Sequence, residues 1–208
     1  MLEQVSRVDS YRQVFRLASI PQDEEFLAEL GLDTLGREEL TDLLAEAGPI
    51  PQLNELLDGP FRRRRKAGPS RFSDGSFSVL YTSLEPATAE AEVVHWLPGR
   101  VGNPSTPRVV YYSLFSCAFE GSEADLRPKL KDWPDLVHES DYSFCNRIGA
   151  EARSLEIDGL VTWSARRKGG TNVPVFSRKA VSRPDSQKRV ALTYEPSSGN
   201  VFVRYLDD

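Results

Sequence analysis

The sequence predicts an α+β fold from three observations. β-prone segments outnumber helical ones, the two kinds are mixed along the chain, and the C-terminus carries a clear hairpin pattern. In that pattern residues 190–194 and 201–206 flank Pro196-Ser197-Ser198-Gly199-Asn200. A length of 208 residues suits one domain spanning 1–208, and a hydrophobic fraction of 39% is enough for a core.

Taken in order, residues 11–20 alternate as a strand, with Val14, Arg16 and Ala18 on one side and Phe15 and Leu17 on the other, before Pro21 closes the run. Residues 23–47 change character. Phe26, Leu27, Leu30, Leu40, Leu43 and Leu44 recur at helical spacing among many acids, and Gly48-Pro49 is a stop signal. This reads as a pair of short acidic helices within an insertion at about 22–58. Residues 59–69 form a loop dominated by Arg62-Arg63-Arg64-Arg65-Lys66, either a solvated basic face or a patch for an anion or a partner.

A period-two strand is expected over 76–81, then a helix opened by Pro86 and running to about Leu97. Residues 108–119 are a long β-prone run. Residues 140–155 have helical spacing through Phe144, Ile148, Ala152 and Leu155. Short strands at 160–163 and 173–176 flank the turn signal Gly169-Gly170, ahead of the terminal hairpin.

Composition excludes several roles. A net charge of −5 argues against a broad footprint for nucleic acid. No run approaches 18 apolar residues, and residues 1–7 lack a signal-peptide layout, so a soluble cytoplasmic protein is expected. Cys117 and Cys145 are too few for a disulfide framework and fit a reducing compartment.

Motif searches exclude more. There is no G-x-G-x-x-G, no P-loop and no G-x-S-x-G, and Gly121-Ser122 lacks the flanks of a nucleophile elbow. His138-Glu139-Ser140-Asp141-Tyr142 misses the second histidine of a zinc motif. His95, His138, Cys117 and Cys145 stand at no paired ligand spacing, so no metal is expected. Cys145, on an apolar helix face, reads as core rather than nucleophile.

What remains is a dispersed set: Arg16, Arg71, Tyr81, Glu92 and Ser164. Each has an ordinary explanation alone: a loop arginine, a half-buried strand tyrosine, an acid near a helix start, a serine ending a strand. Glu90 and Glu92 both flank the stripe of Ala89, Val93 and Trp96, and the helical period does not choose between them. Arg12 rivals Arg16 on the first strand.

The ordered set resembles the RES-domain family, named for an arginine, a glutamate and a serine. The resemblance runs through Arg71-Phe72, the tyrosine-ended strand Val79-Leu80-Tyr81, and Ala89-Glu90-Ala91-Glu92 opening a helix. It continues through Asn146-Arg147-Ile148-Gly149, Asp158-Gly159-Leu160-Val161-Thr162-Trp163-Ser164 and Thr171-Asn172-Val173-Pro174, over roughly residues 71–180. Ser70-Arg71-Phe72-Ser73 stands where the family's usual pattern is glycine-arginine-tryptophan-asparagine. The eleven-residue step from Tyr81 favours Glu92.

The resemblance implies an ADP-ribosyltransferase-like mixed sheet with flanking helices and an NAD⁺-consuming enzyme. It also implies a toxin with a cognate antitoxin partner, and a homodimer is compatible with it. On that footing Glu92, Arg71 and Tyr81 are the expected catalytic residues, and Arg16, Arg71, Tyr81 and Ser164 the expected NAD⁺-binding set. Guanidinium groups suit a pyrophosphate, a carboxylate suits an oxocarbenium-like ribose, and the Tyr81 ring suits nicotinamide. Ser164 is expected to hold the ribose or amide by a hydrogen bond. The acceptor is expected to be inorganic phosphate or water; the alternatives are ADP-ribosyl transfer to a protein, or a non-catalytic partner-binding role.

Overall fold

The computed structural model describes residues 1–19, 53–62 and 68–206. The strands are β1 (Arg7–Ser19), β2 (Leu80–Ser83), β3 (Arg108–Asp125), β4 (Gly159–Trp163), β5 (Thr171–Val175), β6 (Val181–Glu195) and β7 (Asn200–Tyr205). The helices among the described residues are α1 (Leu53–Asp58), α2 (Pro86–Val101) and α3 (Ser143–Ser154), with short 3-10 turns between elements.

One mixed seven-stranded sheet runs β1-β2-β5-β4-β3-β6-β7, and β1 also pairs with β3 along its whole length. The pairings therefore close a circuit β1–β2–β5–β4–β3, with β6 and β7 extending from β3. All pairs are antiparallel except β3 with β4. Val14, Leu80, Phe119, Val173 and Val175 pack together in a cluster capped by Leu56 and Leu57 of α1. A second cluster, around Ile148 and Ala152, seats α3; a third, around Leu97 and Leu114, seats α2. Burial of these apolar faces is what holds the helices on the sheet.

The expected strand at 76–81 is corrected: β2 begins only at Leu80. Ahead of it, Ser73 Oγ donates to the Phe77 carbonyl, and Asp74 accepts the Ser76 N–H. Gly75 adopts a φ of 95°, and these local side-chain bonds displace the ladder. Helix α2 runs past Leu97, taking Pro98 into its last turns, and Gly102 ends it at a φ of 70°.

β3 continues through Glu120-Gly121-Ser122-Glu123, held by β1 on one edge and by β4 at its end. β6 begins at Val181 rather than 190, passing Pro184 where the register with β3 shifts around Ser116. The acidic helices expected over 23–47 and residues 63–66 of the basic run lie outside the described residues. Arg62 pairs with Asp58 at 3.9 Å, and Arg178 ties Asp58 at 2.6 Å to the start of β6.

Candidate active site

Helix α2 delivers three acids at or near its start, and the structure gives each a different task. Glu85 accepts the Thr171 N–H at 3.1 Å and lies 4.0 Å from Arg167, tying the start of α2 to β5. Glu90 accepts the Tyr205 hydroxyl at 2.8 Å on β7. Glu92 faces a cavity of about 480 Å³ that Arg16, Arg71, Tyr81, Trp96, Tyr142 and Asn172 also line. The periodicity left Glu90 and Glu92 equivalent; Tyr205 separates them.

The β4–β5 hairpin fixes the Glu92 carboxylate. Ser164, the residue after β4, donates its hydroxyl to Glu92 Oε1 at 2.7 Å, and Asn172 Nδ2 on β5 donates to the same oxygen at 2.6 Å. The Ser164 oxygen accepts the N–H groups of Arg166 and Arg167, both at 3.0 Å, so its proton has one direction left. Ser164, expected to bind the ribose or amide, directs its hydroxyl proton at Glu92 in this structure. Both donors crowd Oε1, and Oε2 has no partner among the described residues.

Arg71 is held as firmly. Asn146 Nδ2 on α3 donates to the carbonyls of Ser70 and Arg71 at 2.7 and 2.8 Å, while Arg71 Nη1 donates to the Leu136 and His138 carbonyls. Its guanidinium lies 4.5 Å from the Tyr142 ring centroid. Tyr142 meets Trp96 edge-on at 6.3 Å, and Arg166 lies 5.7 Å from the Trp96 ring centroid. Two adjacent aromatic rings thus lie between two guanidinium groups, in the order Arg71, Tyr142, Trp96, Arg166.

Tyr81 accepts the Phe72 N–H at 2.9 Å and donates to Ser70 Oγ at 2.8 Å, so its hydroxyl braces the Arg71 loop. Burial raises the Tyr81 phenol above its ordinary range, partly offset by those two bonds and the Arg71 charge. Arg16 donates to the Tyr81 carbonyl at 2.9 Å. It is partly exposed along the cavity, yet desolvation of its guanidinium lowers its pKa to about 10. Arg12, the rival on β1, pairs instead with the buried carboxylate of Glu123.

Cys117 and Cys145 are both buried, and burial pushes each thiol up to about 11. The His95 imidazole stands below its ordinary value, through desolvation and then the Arg166 charge. Among the described residues no three His, Cys, Asp or Glu side chains are placed to share a metal ion, and no helix is long and apolar enough to cross a membrane.

A family model described as the RES domain matches residues 47–195, well over half of the chain. The chain belongs to the RES domain family. No curated protein matches. Among solved structures, a chain of the M. tuberculosis MbcT–MbcA toxin–antitoxin complex is similar with a TM-score of 0.51 and 14% sequence identity. The match covers 92% of this chain and 88% of that one, and at such identity it establishes the fold. The ADP-ribosyltransferase-like mixed sheet implied by the resemblance is the architecture this RES domain adopts. Arg16 precedes the matched residues and reaches the cavity through the pairing of β1 with β2 at Phe15 and Ser83.

Two parts of the RES site went unassigned in the sequence. Asn172 and Asn146 were visible only as letters within motifs, because their tasks depend on which strand or loop lies opposite.

Proposed function

We propose that this RES domain is a toxin of a toxin–antitoxin pair and that it consumes NAD⁺ in the cytoplasm by breaking the nicotinamide–ribose bond. The observation that carries the reading is the Glu92 carboxylate, fixed through Oε1 in a cavity that also holds Arg16, Arg71 and Tyr81. As the C1′–N1 bond breaks, its electron pair passes to the nicotinamide nitrogen and cancels that ring's positive charge. The ribose becomes oxocarbenium-like, and a carboxylate beside it stabilises the developing cation.

Arg16 and Arg71, both lining the cavity, are the cations assigned to the pyrophosphate. An oxygen of water or inorganic phosphate then bonds to the same carbon, which is C1″ in the product, giving ADP-ribose with water's second proton released to solvent, or ADP-ribose-1″-phosphate. No histidine stands against Ser164 among the described residues, and its hydroxyl donates to Glu92, the carboxylate assigned to the ribose cation, which argues for a supporting rather than a nucleophilic serine. The toxin–antitoxin complex containing the similar chain supports a cognate protein partner.

The test is NAD⁺ loss by the purified chain, followed by chromatography with and without inorganic phosphate, beside Glu92→Gln. Free nicotinamide from the wild type and none from the variant is the expected result. ADP-ribose-1″-phosphate formed only with phosphate identifies a phosphorylase, and ADP-ribose in either buffer a glycohydrolase. A folded, inhibitor-free sample that leaves NAD⁺ intact overturns the reading. Labelling of a protein without bulk NAD⁺ loss moves the activity to ADP-ribosyl transfer.

A further inference from the structure

The carboxylate of Glu92 is gripped from behind by a chain of hydrogen bonds that begins on β2. Ser83 Oγ donates to Asn172 Oδ1 at 2.8 Å, and the two residues are direct partners in the antiparallel β2–β5 register. With Oδ1 taken by Ser83, the Asn172 carboxamide has a defined orientation, and Nδ2 is directed at Glu92 Oε1 at 2.6 Å. Ser83 is buried, at 2% relative exposure. An amide that flipped here would set its oxygen against the carboxylate and its NH₂ against a hydroxyl that has to donate elsewhere.

We propose that Asn172 and Ser83 are positioning residues: Ser83 sets the Asn172 amide, and Asn172 with Ser164 confines the Glu92 carboxylate so that Oε2 alone is presented to the substrate. This rests on the NAD⁺ reading for its kinetic consequence but not for its structural one. Ser83, although it also lines the cavity, reaches Glu92 through two hydrogen bonds. Removing its hydroxyl leaves the Glu92 side chain untouched and frees the amide between it and the strand. Supporting residues one step behind a reactive group usually cost about 10- to 100-fold in activity when removed.

The experiment uses the full-length chain with ¹⁵N-labelled asparagine, the Asn172 carboxamide signal being assigned by its loss in Asn172→Leu. In the wild type one Asn172 Nδ2 proton is expected to be shifted downfield and protected from exchange. Ser83→Ala and Glu92→Ala, both with unchanged circular dichroism, are expected to lower that protection by about tenfold or more. In parallel, Ser83→Ala is expected to lower kcat for NAD⁺ loss by about 10-fold with KM changed by less than about 3-fold.

An Asn172 amide whose exchange ignores Ser83→Ala overturns the relay, as does an unchanged kcat in an otherwise active enzyme. A wild type that shows the protected amide but never consumes NAD⁺ overturns the NAD⁺ reading and leaves the relay standing. Should Ser83→Ala fail to fold, Ser83→Cys, with its weaker donor, carries the same two readouts.

Discussion

Gly149 of α3 lies directly against the backbone carbonyl of Phe72: a β-carbon built on it would fall 2.0 Å from that oxygen. The helix can therefore approach the Arg71 loop closely only where there is no side chain, and Asn146 one turn earlier binds the same loop through two carbonyls. Gly149→Ala is expected to push the loop off the helix, costing about 3 kcal/mol. In a domain of this size that lowers Tm by roughly 10 °C, a shift that a thermal melt measures directly.

Glu90 and Glu92 stand two residues apart with unlike partners, and their variants are expected to part accordingly. Glu92→Gln lowers NAD⁺ consumption by at least about 100-fold. Glu90→Gln still accepts the Tyr205 hydroxyl and keeps activity within about 2-fold, its stability moving by less than about 1 kcal/mol. Paired turnover and melting curves check both.

The stack of Arg71 on Tyr142 predicts that charge alone is not enough at this position. Arg71→Lys loses the planar fork and the face-on contact, and KM for NAD⁺ is expected to rise about 10-fold. Tyr142→Leu keeps the charge but removes its platform, and a similar, smaller rise is expected. Initial rates across substrate concentration separate these KM effects from kcat.

Arg16 carries its charge at a cost to the empty protein. Because its folded pKa of about 10 lies below the ordinary guanidinium value, the unfolded chain holds the proton to higher pH, and its contribution to stability rises as pH climbs above about 10. Replacing it with Met removes a desolvated cation. Arg16→Met is therefore expected to melt no lower than wild type at pH 7 and to lose the rise in stability above pH 10. The same variant binds NAD⁺ at least about 10-fold more weakly by calorimetry.

Burial that raises Cys117 and Cys145 to about 11 leaves almost no thiolate at neutral pH. A thiol reagent is expected to label neither in the native protein within minutes and both in denaturant. Cys117→Ala and Cys145→Ala are expected to retain NAD⁺ consumption, which excludes a cysteine nucleophile.

The elements most legible in the sequence were those whose signal is local. The Pro86 helix start and the 190–206 hairpin are stated by adjacent residues, and the order Arg71, Tyr81, Glu92, Ser164 by motif. The strand expected over 76–81 failed because Ser73 and Asp74 offered the backbone nearer partners than any neighbouring strand. β3 was read short because Ser122 carries no β signal until β1 pairs with it, and β6 because Pro184, a strand breaker, sits where the register with β3 shifts. In the site, the step from Tyr81 favoured Glu92 over Glu90, but the physical reason for the difference lies in Tyr205, and the orientation of Asn172 rests on Ser83. Those partners are 115 and 89 residues away, beyond any local pattern.

That same distance orders the birth of the enzyme. Glu92 leaves the ribosome well before Ser164 and Asn172, the latter 80 residues downstream. At about 5–20 residues per second the gap lasts on the order of 4–16 seconds. Through that interval the carboxylate has neither of the donors that fix it, and a chain cut short before residue 164 never acquires them. The centre is therefore assembled only some seconds after its carboxylate emerges, once the strand that carries Asn172 has followed.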